Sequence, residues 1–235
     1  MDNFTAAELD GNPHDFESPT HRSGGDDGFS MIELMVVLIV IAILLVIAVP
    51  TFLGTTAVAD DRSAQSNLMT ALIDARTQFQ SGGQSYDVNG ASDPVALAGL
   101  LTSAQLSLTF HAGSLGPLIT QGSSGSLSSI SVGVSQDGDG LVMAAYSVPG
   151  NCFYIVDTPV QLSSPSASLP PYAGASNVTT SAESVPAGSI GLPSIVGTSY
   201  VEVKGDQTKS DCNAYQPKTS GPPATVRYLT SGFPN

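Results

Sequence analysis

Residues 34–49 form a run of sixteen without a polar side chain. With 29–33 before it and 50–53 after it, the span reaches 25 residues, and its only charge is Glu33. A helix rises about 1.5 Å per residue, so ~20 residues cross the ~30 Å hydrocarbon core of a bilayer. Helices buried in globular domains rarely stay apolar on every face. The run therefore predicts a membrane-spanning helix, with the rest of the chain organised around it. A secretory signal needs a basic n-region, a shorter apolar stretch and a small-residue cleavage site. Residues 1–28 instead hold seven acidic residues against Arg22 alone, and the nearest cleavage candidate after the run is Ala48-Val49-Pro50. Charge does not orient the span, because the nearest basic residues on its two sides are Arg22 and Arg62, one each.

The stretch G-F-S-M-I-E-L-M-V-V-L-I-V-I-A-I-L-L-V-I-A-V-P, residues 28–50, resembles the signature of type IV prepilins and the related pseudopilins: a class III signal peptide with its N-terminal methylation motif. The resemblance implies that residues 1–28 are a leader removed on the cytoplasmic side by cleavage after Gly28. It implies that Phe29 becomes an N-methylated N-terminus, that Glu33 is kept for assembly, and that Pro50 kinks the helix. Such leaders usually carry Lys or Arg close before the glycine, whereas this chain has Asp26-Asp27, with His21 and Arg22 further back.

A carboxylate deep in a spanning helix costs roughly 2.5–3.5 kcal/mol on insertion scales, and residues that expensive are usually paired and functional. One reading places Glu33 near enough to the helix end to be solvated at the interface. The sharper one follows from cleavage, which would leave an α-amine on Phe29 with a reference pKa near 8. The Glu33 of a neighbouring subunit would neutralise it inside a helical bundle, and the resemblance implies that this contact sets the stagger between subunits.

Beyond residue 28 the chain carries six basic and 13 acidic residues and is rich in Gly, Ser and Pro. That composition shows no nucleic-acid-binding face and reads as a solvated, loop-rich extracellular domain large enough for one modest core. Ala64, Leu68, Leu72, Ala75 and Phe79 recur at spacings of three and four, with Asp60, Asp61, Arg62, Asp74 and Arg76 among them. This predicts an amphipathic continuation of the helix, ended by Gly82-Gly83. The whole helix, 29–80, would be about 78 Å long, bent or opened at Pro50 and loosened at Gly54.

Asp93-Pro94 predicts an N-cap and first turn for a second helix over 94–105. Strands are expected at 130–135 and 141–148, around the turn-rich Q-D-G-D-G, and at 152–156, 199–203 and 224–230. The Ser-, Pro- and Ala-rich segment 161–198 reads as a long surface excursion. The fold class is α+β and pilin-like: a helical spine, transmembrane in its first half, on a C-terminal antiparallel sheet. Its expected divisions are the leader 1–28, the transmembrane and polymerisation helix 29–53, its amphipathic continuation 54–81, and a β-rich extracellular head 82–235.

Cys152 and Cys212 fall on the exported side in this reading, where a disulfide is the ordinary outcome and two buried free thiols the alternative. Closing a loop of that length would stabilise the fold by roughly 4 kcal/mol in the chain-entropy model. Asp137-Gly138-Asp139-Gly140 opens like a calcium loop, but the apolar 141–148 supplies no further ligands, and a hairpin turn is the stronger reading. Asn177-Val178-Thr179 is a formal glycosylation sequon. His14 and His21 lie in the leader, which leaves His111, in an apparent loop after L-S-L-T-F. With no nucleophile elbow, HExxH pair or phosphate loop beside it, the chain reads as a non-enzyme without cofactor or metal.

The resemblance then implies a pilin, a structural subunit of a type IV pilus or related filament. It would start as a single-pass cytoplasmic-membrane protein and end in a cell-surface pilus. Its partners would be copies of itself and other pilins, a prepilin peptidase that is also the N-methyltransferase, an assembly ATPase and an inner-membrane platform. No direct contact with nucleic acid is expected. Two alternatives stand beside it: a pseudopilin or minor pilin of a type II secretion or DNA-uptake machine, and a non-polymerising membrane-anchored binding domain. Adhesion, motility, DNA uptake and secretion remain open as tasks, as does the choice between major and minor subunit.

Overall fold

The computed structural model describes residues 28–90, 94–112, 128–135, 137–160, 183–185, 188–190, 192, 195–205, 207, 211–214, 218–219 and 224–233. The chain divides into two compact units, residues 1–48 and 49–235. Helix α1, Met31–Ser81, begins in the first and continues in the second, unbroken at Pro50. In the first unit it is Leu, Ile, Val, Met and Ala from Leu34 on, and every residue is exposed. None of its most apolar 18-residue window is buried. Such a surface is unstable in water, and a helix suits lipid because it satisfies every backbone group within the segment.

The second unit buries the other end of α1 through Ala64, Leu68, Ala71, Leu72, Ala75 and Phe79. The helix stops as the glycines predict. Gly83 takes φ +81°, and the Gln84 N–H donates back to the Phe79 carbonyl at 2.9 Å, the six-to-one bond of a Schellman cap. Helix α2, Pro94–Ala104, adds Leu97, Ala98 and Leu101 to the core. Asp93, its expected N-cap, lies outside the described residues.

The strands are β1 (Thr109–Ala112), β2 (Ser129–Val134), β3 (Leu141–Ser147), β4 (Asn151–Thr158), β5 (Glu183–Val185), β6 (Gly188–Ser189), β7 (Gly197–Lys204), β8 (Lys218–Thr219) and β9 (Ala224–Leu229). Seven form one sheet in the order β1-β2-β3-β4-β7-β9-β5, while β6 and β8 pair separately. Every pairing in the large sheet is antiparallel except β1 with β2. The arrangement is α+β.

Side-chain alternation gives this sheet two buried faces. Leu141, Met143, Ala145, Phe153 and Ile155 face the core that holds α1 and α2. Val142, Ala144, Cys152, Tyr154 and Val156 face a second core completed by Ile190, Leu192, Cys212 and Ala214. Strands buried on both sides read as continuous apolar runs, which is why β3 and β4 stand out in the sequence.

Two expectations need correction. His111 lies in β1, opposite Ser131 of β2, and not in a loop; its strand is four residues long and pairs in parallel, so no local turn announces it. The stretch 161–198 is not wholly a surface excursion. Its residues 161–182 lie outside the described ones, but β5, β6 and the start of β7 fall within it, and Ile190 and Leu192 are buried. Strand β5 is held by its backbone pairing with β9, which leaves no periodicity to read.

Candidate processing and assembly site

Gly28, Phe29 and Ser30 precede α1 without regular structure, and all are exposed. Phe29 shows 87% of its surface, so the 28–29 peptide is accessible. Ser30 occupies the N-cap position and Glu33 the third helical one. The Ser30 N–H donates to Glu33 Oε2 at 2.9 Å, and the Ile32 N–H donates to Ser30 Oγ at 3.4 Å. The first helical bond runs from the Leu34 N–H to the Ser30 carbonyl at 3.2 Å. This is the glutamate half of a capping box, with the serine hydroxyl on the second helical N–H instead of the third. It satisfies backbone donors that no intrahelical carbonyl can reach, and it puts the carboxylate where the helix dipole favours negative charge. Glu33 thus has a local role in its own helix, apart from the assembly role that the resemblance implies. The S-x-x-E spacing carried that signal, and sequence reasoning missed it.

The head is tied to α1 by a cluster that no motif revealed. Asp157 of β4 is fully buried and sits opposite Thr198 of β7. Its carboxylate accepts from Arg76 Nη2 at 2.6 Å and Nε at 3.2 Å, from the Tyr86 hydroxyl at 2.5 Å and from Thr198 Oγ1 at 2.8 Å. The hydrogen bond to Asp157 raises the Arg76 pKa. Burial, reinforced by the same carboxylate, pushes the Tyr86 phenol up. A second tie joins Asn151 Nδ2 to both carboxylate oxygens of Asp61 at 3.0 Å.

Asp137 and Asp139 lie in the β2–β3 hairpin. Asp137 Oδ1 accepts from Ser135 Oγ at 2.5 Å and from the Asp139 N–H at 3.2 Å. Gly138 takes φ +77°, and a Cβ there would meet Ser85 Oγ at 2.4 Å. Its carbonyl accepts the Tyr86 N–H at 2.7 Å, so the turn packs against the chain leaving α1. Burial, with Asp137 close by, raises the Asp139 pKa.

Cys152 and Cys212 are bonded, with Cα atoms 5.3 Å apart and both residues buried. The bond fixes segment 211–214 to the second face of the sheet. Tyr154 donates its hydroxyl to the Asp211 carbonyl at 2.8 Å, and the Ala214 N–H donates to Ser131 Oγ at 3.0 Å. His111 lines an open cleft of about 640 Å³ between α2 and β1 with Val95, Ala98, Thr102 and Phe110, and among the described residues no acidic one lines it. Among the described residues, no three His, Cys, Asp or Glu side chains group as metal ligands.

Residues 25–49 match the prokaryotic N-terminal methylation motif, the class III signal peptide of type IV pilin family members. No curated protein and no solved structure matches the chain. The motif points to a structural protein rather than an enzyme and implies processing by a prepilin peptidase. Together with the exposed apolar helix it fits a membrane-anchored precursor.

Proposed function

We propose that this chain is the precursor of a type IV pilin. It is cut after Gly28, N-methylated at Phe29, and built into a surface filament through the apolar half of α1. One observation carries the reading: a helix with none of its 18-residue apolar window buried lies directly under a methylation motif at residues 25–49. A tether alone would tolerate any apolar sequence. A polymer needs the new N-terminus and an acid to meet it.

In this reading the first half of α1 lies in the cytoplasmic membrane until an ATPase-driven platform lifts the subunit into the filament. Copies of the apolar helix then replace lipid around one another. The head, residues 82–235, faces outward. A subunit entering the bundle brings the Phe29 ammonium into a medium where an unpaired ion costs several kcal/mol, and the Glu33 of an adjacent subunit supplies its counter-charge. Pro50 lacks the N–H that would close its helical turn and gives the close-packed helices room to bend.

Mass spectrometry of protein sheared from cells tests the proposal. The expected chain starts at Phe29 and is one methyl group heavier than its sequence. Surface protein that retains residues 1–28, or that starts after Ala48, would overturn it. Gly28→Val should leave the precursor in the membrane.

A further inference from the structure

Where α1 ends against the chain leaving β4, a pocket of about 430 Å³ lies between Arg76, Phe79, Gln80, Gln84, Tyr86 and Pro159. Small-ligand sites are concavities of about 300–1,000 Å³, mostly apolar with a few placed polar groups. Phe79 and Tyr86 are buried, with their rings 4.7 Å apart, while Arg76, Gln80, Gln84 and Pro159 are exposed. Gln84 takes φ +66°, and among the described residues it is alone in holding a positive φ without being glycine. Glycine would sit there without strain, and side chains kept in such a conformation concentrate at ligand clamps. The helix cap accounts for the turn, because it uses the Gln84 backbone N–H. It does not account for a carboxamide at the pocket.

The polar groups select the ligand. Arg76 spends Nε and one Nη2 hydrogen on Asp157 and the other Nη2 hydrogen on Thr198 Oγ1. Only Nη1 is left, so no two-nitrogen fork remains for a carboxylate or phosphate, and Asp157 already balances the charge. Gln80 and Gln84 add neutral carboxamides, each offering donors and an acceptor. A hydroxyl group is donor and acceptor at once, and the C–H face of a sugar ring matches the apolar surface of Phe79 and Pro159. We propose that this pocket binds a neutral pyranose, with Nη1 of Arg76 donating to one hydroxyl and the amides of Gln80 and Gln84 pairing with its neighbours. The site lies wholly in the second unit, so it is the same before and after any cleavage at Gly28 and does not rest on the function proposed above.

Proton–nitrogen NMR of the full chain, in a detergent without a sugar headgroup, follows the Arg76 Nε–H and the side-chain amides of Gln80 and Gln84. The probes are the methyl pyranosides of glucose, galactose, mannose and N-acetylglucosamine, with glucuronate as the anionic arm. At least one methyl glycoside should move all three sets of signals with a midpoint on the order of 1 mM, the affinity of a few hydrogen bonds on one small ligand. Gln84→Gly removes the carboxamide and the strain together, so it should weaken binding roughly tenfold while the urea midpoint holds or rises. Should that variant disturb the fold, Gln80→Ala carries the same test from an exposed helical position, with a similar loss expected. No response to any glycoside at about 50 mM, an unchanged midpoint in both variants, or tighter binding of glucuronate than of methyl glucoside would each overturn the proposal.

Discussion

Replacing Asp157 by Ala removes the acceptor of four hydrogen bonds, and the structure assigns different costs to the donors left behind. Tyr86 is fully buried, and a buried hydroxyl without a partner costs ~1–3 kcal/mol. Arg76 keeps 47% of its side chain exposed, so its guanidinium rehydrates and its share is that of a surface pair, about 0–1 kcal/mol. Thr198 is half-buried and adds a few tenths. The expected loss for Asp157→Ala is about 3 kcal/mol. Arg76→Ala leaves a buried carboxylate with only neutral donors. That would cost ~3–5 kcal/mol in a dry site and about 2 kcal/mol here, where water reaches the vacated side. With both removed, no charge is stranded, so the double variant should be 1–2 kcal/mol less destabilised than the sum, roughly the coupling of residues in one network. The assay is equilibrium urea unfolding of the full chain in detergent, followed by tyrosine near-UV circular dichroism, since the chain has no Trp. A loss below about 1 kcal/mol for Asp157→Ala, or strict additivity, would show that the cluster is decoration on a head held by its apolar core.

Glu33→Val should leave membrane insertion and cleavage after Gly28 intact while suppressing filaments, with Glu33→Asp intermediate; membrane and sheared fractions viewed by electron microscopy decide it, and normal filament yield from Glu33→Val would refute the role. Cys212→Ser should lower stability by at most a few kcal/mol, given an entropic ceiling near 4 kcal/mol, and alkylation of exported protein without reduction should label neither thiol. Burial pushes the phenols of Tyr86 and Tyr154 up, aided by Asp157 and Asp211 respectively, so the folded chain keeps protons that the unfolded chain releases near pH ~10. Their contribution is complete below that pH and is lost as pH climbs through the folded values. The urea midpoint should therefore decline above about pH 10, less steeply in Tyr86→Phe, and an identical decline in that variant would refute the assignment.

Features that repeat along the chain were legible in the sequence. The stripe from Ala64 to Phe79, the glycines that stop α1, and the apolar runs of β3 and β4 each arise from neighbours close in sequence. What escaped arises from distant pairing. Strand β1 exists because β2 lies beside it in parallel, and β5, β6 and β8 are two or three residues long, too short for a period. Asp157 could not be singled out because Arg76 is 81 positions away, Tyr86 71 and Thr198 41. Ser30 and Glu33 are the opposite case: a local signal, three residues apart, overlooked because the apolar run made the glutamate look like an intruder rather than half of a cap.

The Cys152–Cys212 bond also decides what a protease can do to the head. Proteases cut where chain is exposed and irregular, and Cys152 and Cys212 lie 60 positions apart. A nick anywhere between Cys152 and Cys212 opens the backbone but leaves both pieces joined through sulfur. The carboxyl-terminal piece, with β9 inside it, would stay on the molecule and show itself as a fragment only after reduction.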